Sequence, residues 1–166
     1  HTFDYPYPTA ISVEGSNGME YPMICFNYGR PDADGTYSDA IKYGMISVII
    51  HEVGHNYFPM IVNSDERQWT WMDEGLNTFM QFMAEQEWDR NYPSRRGPAH
   101  KIVPYMKSEK HLLEPIMTNS ENIIQFAVDR LEVFKNFAIA CCIAICDMTP
   151  AGPERTAGFP ATLAVA

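Results

Sequence analysis

The sequence predicts an α+β fold: a small, partly antiparallel sheet packed on two central helices. Three observations lead there. Two short runs near the amino terminus, Ala10–Val13 and Met19–Phe26, have strand character. Ser38 stands before an apolar-rich stretch that continues to about Tyr57, with Pro59 just beyond, as a capped helix would. A second helical stretch runs from about Met72 to Arg90.

At 166 residues the chain is one domain by size and large enough for a core. Its 46% hydrophobic and 13% aromatic content is that of a globular protein. A net charge of −9 argues against nucleic acid as a partner. The chain begins at His1 rather than Met and shows no signal peptide, as an internal piece of something longer would. Cys25 stands alone, and Cys141, Cys142 and Cys146 form no C-x-x-C pair, so neither a disulfide framework nor a structural zinc site is expected.

In chain order, Tyr5-Pro6-Tyr7-Pro8 is an extended entry, because residues before proline avoid the helical region. Gly15-Ser16-Asn17-Gly18 is a turn cluster between the two strands. Pro22 demotes the second strand to an edge, to which a peptide can add by main-chain hydrogen bonding. Glu20 on that edge reads either as an anchor for a substrate's α-amine or as a solvated edge charge. Ile41, Met45, Val48, Ile49 and Ile50 make the first helix apolar on most faces, hence buried. In the second helix Leu76, Phe79, Met80 and Met83 are the expected core stripe. Asn77 and Thr78, one turn past Glu74, are candidates to orient ligands from behind. Residues 91–98 read as a loop, followed by short helical pieces near 99–108 and 110–116. His100 and His111 lack metal-ligand spacing.

The chemistry lies in His51-Glu52-Val53-Gly54-His55, an H-E-x-x-H pattern on the first helix, and in Glu74. Two histidines four apart are offset by about 40° around a helix, so both rings reach one point. Catalytic zinc takes three protein ligands and leaves a position open. His51 and His55 supply two, and Glu74, on the next helix, is the natural third. Glu52, one residue round from His51, can flank the metal without ligating it, where a general base belongs. The plain alternative is a buried helix with two satisfied histidines and a surface Glu.

Gly18-Met19-Glu20, the H-E-x-x-H at 51–55 and Glu74 after eighteen intervening residues (56–73) together resemble the zinc aminopeptidases of the aminopeptidase N family, a gluzincin group. The resemblance spans residues 5 to about 126, with its specific motifs in 18–22 and 51–75. It implies a thermolysin-like catalytic domain and one zinc ion held by His51, His55 and Glu74. It further implies Glu52 as catalytic base, with Gly18, Met19 and Glu20 binding peptide substrate and Glu20 holding its free amine. Tyr21-Pro22 stand where the commonest family version begins with Asn. The implied activity is removal of amino-terminal residues from peptides. The alternatives are a gluzincin endopeptidase, or an inactive zinc-binding fragment. The family's oxyanion-donating tyrosine lies several dozen residues after the Glu ligand, and no tyrosine follows Tyr105 here. The chain as it stands is therefore expected to be catalytically crippled or inert, with turnover orders of magnitude below that of a complete enzyme.

Residues 1–126 are accordingly read as a partial metallopeptidase domain, and 127–166 as a divergent apolar helix with a disordered tail. The apolar run Phe137–Cys146 is too short to span a bilayer, so no membrane-spanning segment is expected.

Overall fold

The structure is a computed structural model that describes residues 3–15, 18–98, 100 and 103–107. The expectations for 110–116, for the helix after residue 121, for His111 and for the tail lie outside them. The described part is α+β: a three-stranded mixed sheet and two main helices.

Strand β1 (Ile11–Glu14) pairs in parallel with β3 (Ile24–Asn27), and β2 (Met19–Tyr21) pairs antiparallel with the other side of β3. The expected single strand over Met19–Phe26 is thus two strands. Pro22 does not lie within an edge strand but opens the turn between β2 and β3. Met23, the next residue, has φ 66°, the left-handed backbone required at the second central residue of a type II turn with proline at the first. A non-glycine residue there costs about 1–2 kcal/mol. The buried side chain of Asn56 accepts a 2.9 Å hydrogen bond from Met23 N and ties the turn to the end of the first helix.

That turn leaves β2 as an outer strand, as an edge role for Glu20 requires. Glu20 is registered opposite Cys25, and directly opposed residues of an antiparallel pair share a face. Cys25 is 2% exposed, so Glu20 lies on the inner face while Met19 and Tyr21 point to solvent.

Helix α1 (Asp39–Gly54) begins where expected: the Ser38 hydroxyl accepts from Ile41 N at 3.3 Å. It ends three residues before Tyr57, and tight turns carry the chain on. A single turn of π-helix (Trp71–Gly75) leads into helix α2 (Leu76–Trp88). Helix α3 (Val103–Met106) is one short turn.

The core expectation is corrected. Leu76, Phe79, Met80 and Met83 are only half-buried, and so are Ile41, Met45, Val48, Ile49 and Ile50. What α2 buries instead is Asn77, Thr78, Gln81 and Glu85, each at most 2% exposed. These positions recur every three or four residues, so they form one stripe, and that stripe faces the carboxyl-terminal half of α1. The helices meet through hydrogen bonds because that is where the ligand-bearing face of α1 sits. Gly54 permits the close approach, since a Cβ there would collide with the Asn77 side chain. Among the described residues no helix is long and apolar enough to cross a membrane.

Candidate metal centre

The last turn of α1 and the π-turn before α2 converge on one point. His51 Nε2 lies 3.0 Å from Glu74 Oε2 and 3.2 Å from His55 Nε2, and His55 Nε2 lies 3.9 Å from Glu74 Oε2. Donor atoms about 2.0–2.2 Å from a tetrahedral metal ion stand roughly 3.3–3.6 Å apart. The observed triangle brackets that spacing. His51, His55 and Glu74 can therefore hold a metal ion.

The hydrogen bonds behind the triangle support this. His51 Nδ1 faces Gln81 Oε1 at 3.0 Å, while the other end of the Gln81 amide donates to Glu85. His55 Nδ1 faces the Phe58 carbonyl at 2.9 Å, with Asp73 Oδ1 also 2.9 Å away. One Nδ1 proton cannot serve both well, and the Phe58 carbonyl has the better-aligned bond. Asp73 adds mainly charge. Each ring thus has an acceptor at Nδ1, so a neutral ring carries its proton there and turns a lone pair inward. Two imidazole lone pairs and a carboxylate oxygen aimed at one point repel one another unless a cation lies among them. A carboxylate or carbonyl behind each ligating histidine is also the usual support of a metal site.

Without metal, a proton takes the cation's part. Burial alone would make the His55 ring less basic, but the Asp73 contact and the carboxylates of Glu74, Asp73 and Glu20 outweigh it and raise its pKa to about 9. Glu74 moves the other way. Its side chain is 39% exposed, yet its carboxylate is enclosed enough that burial alone would raise it. The His51 hydrogen bond and the charges of His51, His55 and Arg96 instead bring it down to about 2.

Glu52 is 5% exposed and lies beside the triangle. Its carboxylate, that of Glu20 and a His55 ring nitrogen lie within 4.8 Å of one another. Burial raises the Glu52 carboxyl to about 8; His55 pulls it down, while Glu20 and Glu74 add to the rise. Gly18 makes room for it, since a Cβ at that position would strike Glu52 Oε1. Met19 points to solvent next to it.

These shifts predict the pH response of the metal-free fold. His55 binds its proton more tightly folded than unfolded, so its contribution is complete below about 6.5 and is lost as pH rises through about 9. Glu52, raised from 4.5 to about 8, also holds a proton longer in the folded state and weakens the fold progressively across that span. Glu74, lowered, acts in the opposite sense but only below about 4.5. The melting temperature in chelator is expected to fall between pH 6.5 and 9. A flat or rising profile in thermal melts over that range would contradict these proton positions.

The structure brings together Gly18, Glu20, Glu52, His51, His55 and Glu74, while Met19, also expected to bind substrate, points to solvent. Asn77 stands behind them as expected, donating from Nδ2 to the His51 carbonyl at 2.8 Å. Thr78 does not: its buried hydroxyl has no hydrogen-bond partner among the described residues. Sequence reasoning missed Gln81, Glu85, Asp73 and Asn56. For the first two a signal existed, since 74, 77, 81 and 85 lie on one helical face and are all polar. Asp73 depends on the π-turn, a local widening common at functional sites but without a sequence mark. His100, which lacks ligand spacing, is exposed.

Compared with known protein families, curated proteins and solved structures, the chain finds no match among any of them.

Proposed function

We propose that the chain carries the zinc site of a metallopeptidase that removes amino-terminal residues from peptides. The observation behind this reading is the convergence of His51, His55 and Glu74 on one point with the Glu52 carboxyl beside it. Two imidazoles and one carboxylate are a catalytic zinc set. Calcium and magnesium prefer all-oxygen shells and fit these ligands poorly. Zinc, when bound, would polarise the scissile carbonyl and make water acidic enough to act as a nucleophile near neutral pH.

The chain's own residues supply the remaining parts. Glu52 takes a proton at its carboxylate and returns it to the leaving amine, and its burial suits a group working near pH 7. The free side of β2 offers main-chain groups to an extended peptide. Glu20, on the inner face of β2 and next to Glu52, holds the substrate's ammonium group and sets the distance from its first residue to the reacting carbonyl.

The test uses alanyl and leucyl chromogenic amides, free or acetylated, with the zinc-loaded chain. Acetylation removes the cation that Glu20 pairs with, so acetylated substrate is expected to be cleaved at least ~10-fold more slowly, the loss of one charged hydrogen bond. Equal rates would favour an endopeptidase built on the same centre. Zinc uptake with no cleavage of either substrate would leave the inactive zinc-binding reading.

A further inference from the structure

Behind the metal ligands runs a chain of polar groups, buried except for half-buried Ser47. Glu85 is fully buried, and its Oε1 accepts from Ser47 Oγ at 2.8 Å and from Gln81 Nε2 at 2.7 Å. Ser47 Oγ lies 2.9 Å from the hydroxyl of buried Tyr92, which also reaches the Tyr43 carbonyl at 2.8 Å. Glu85 Oε2 has no hydrogen-bond partner among the described residues. A buried carboxylate with one idle oxygen is costly to desolvate, and only one of its two oxygens recovers hydrogen bonds.

Its effect is on orientation. A glutamine amide can turn over and present either end to its neighbour. Glu85 Oε1 accepts from the NH2 end of Gln81 and leaves the amide oxygen for His51 Nδ1. That places the ring proton on Nδ1 and the lone pair on Nε2, the atom aimed at Glu74 and His55. With the amide turned over, Nδ1 would have to accept and Nε2 would carry the proton, closing that position to a metal.

Resting on the metal-centre reading, we propose that Glu85 is a positioning residue that sets the His51 tautomer through Gln81 and so holds a ligand lone pair ready for the ion. In Glu85→Met the amide loses its director. Zinc affinity, measured against a competing chelator, is expected to fall ~10–100-fold, the usual effect of losing such support, with the metal-free melting temperature lowered because Gln81 Nε2 and Ser47 Oγ lose their acceptor. The exchange variant carries Gln81→Glu together with Glu85→Gln. It keeps an acceptor against His51 Nδ1 and a donor between the two side chains, so it is expected to restore zinc affinity to within about threefold of the parent. Gln81→Glu alone sets two carboxylates against each other and should not.

Nitrogen-15 NMR of histidine-labelled, metal-free protein reads the tautomer without any ion. Read on the neutral ring, with the proton that bridges Nε2 to Glu74 gone, His51 is expected as Nδ1–H in the parent and as a mixture in Glu85→Met. A parent that takes up no zinc but shows this tautomer change would remove the metal reading and keep the orienting role. Unchanged zinc affinity and an unchanged His51 tautomer in folded Glu85→Met would overturn the proposal. Should Glu85→Met not fold, failure of the exchange variant to recover the affinity lost in Gln81→Glu would overturn it equally.

Discussion

His55→Ala is expected to lose stoichiometric metal binding, with affinity reduced ~10³-fold or more. Metal binding at structural sites is worth about 10–16 kcal/mol shared among the ligands, so one ligand accounts for several kcal/mol. His55 is 1% exposed and fits between the Phe58 carbonyl, Asp73 and the other two donors. Among the described residues no other histidine takes its place: His100 is exposed and far along the chain. The substitution also leaves buried Asp73 without its cationic partner, and an unsatisfied buried polar group costs about 1–3 kcal/mol, more if charged. The variant should therefore melt lower than the parent even in chelator. Equilibrium dialysis against zinc, with melts on the same samples, checks both effects. His100→Ala is the control and should behave as the parent in each.

Glu52→Gln separates binding from chemistry. The amide keeps the shape of the carboxyl but cannot accept a proton, so hydrolysis is expected to fall ~10²–10⁴-fold, the range for a positioned acid–base group. Zinc should be retained, because the three donor atoms lie outside this residue. The variant also removes a carboxyl crowded by Glu20 and Glu74 in a buried place. Its metal-free fold should then hold up better than the parent's at alkaline pH, where the parent must ionise Glu52. Melts at pH 6 and 9, zinc content, and cleavage of alanyl and leucyl amides give three independent readouts. Loss of zinc in Glu52→Gln would mean that Glu52 is itself a ligand or holds the site's shape.

Much of the centre is legible in the sequence because its signals are local. H-E-x-x-H needs only the period of a helix to bring His51 and His55 together, and the Ser38 cap and its helix follow from short-range rules. What is not legible depends on tertiary contacts. Nothing in Met19–Phe26 announces that Met23 will take a left-handed backbone, because Asn56, thirty-three residues later, holds its amide. The apolar stripe on α2 reads as core because apolar burial is what stabilises most helices against their neighbours. Here the buried stripe is Asn77, Thr78, Gln81 and Glu85. His51 on the facing helix needs a partner for its outer nitrogen, which Gln81 supplies and an apolar seam could not. The consequence for function is direct: the residues that look least like core are the ones that hold His51.

X-ray absorption at the zinc edge of the zinc-loaded chain bears most directly on the metal centre. Two imidazole nitrogens and additional oxygen donors at about 2.0–2.2 Å are expected, with no sulfur. The chain has four cysteines, Cys25 among them buried and unpaired, so a different zinc site would announce itself by sulfur scattering at about 2.3 Å. That signal, or a single-imidazole spectrum unchanged in His55→Ala, would contradict a centre built from His51, His55 and Glu74.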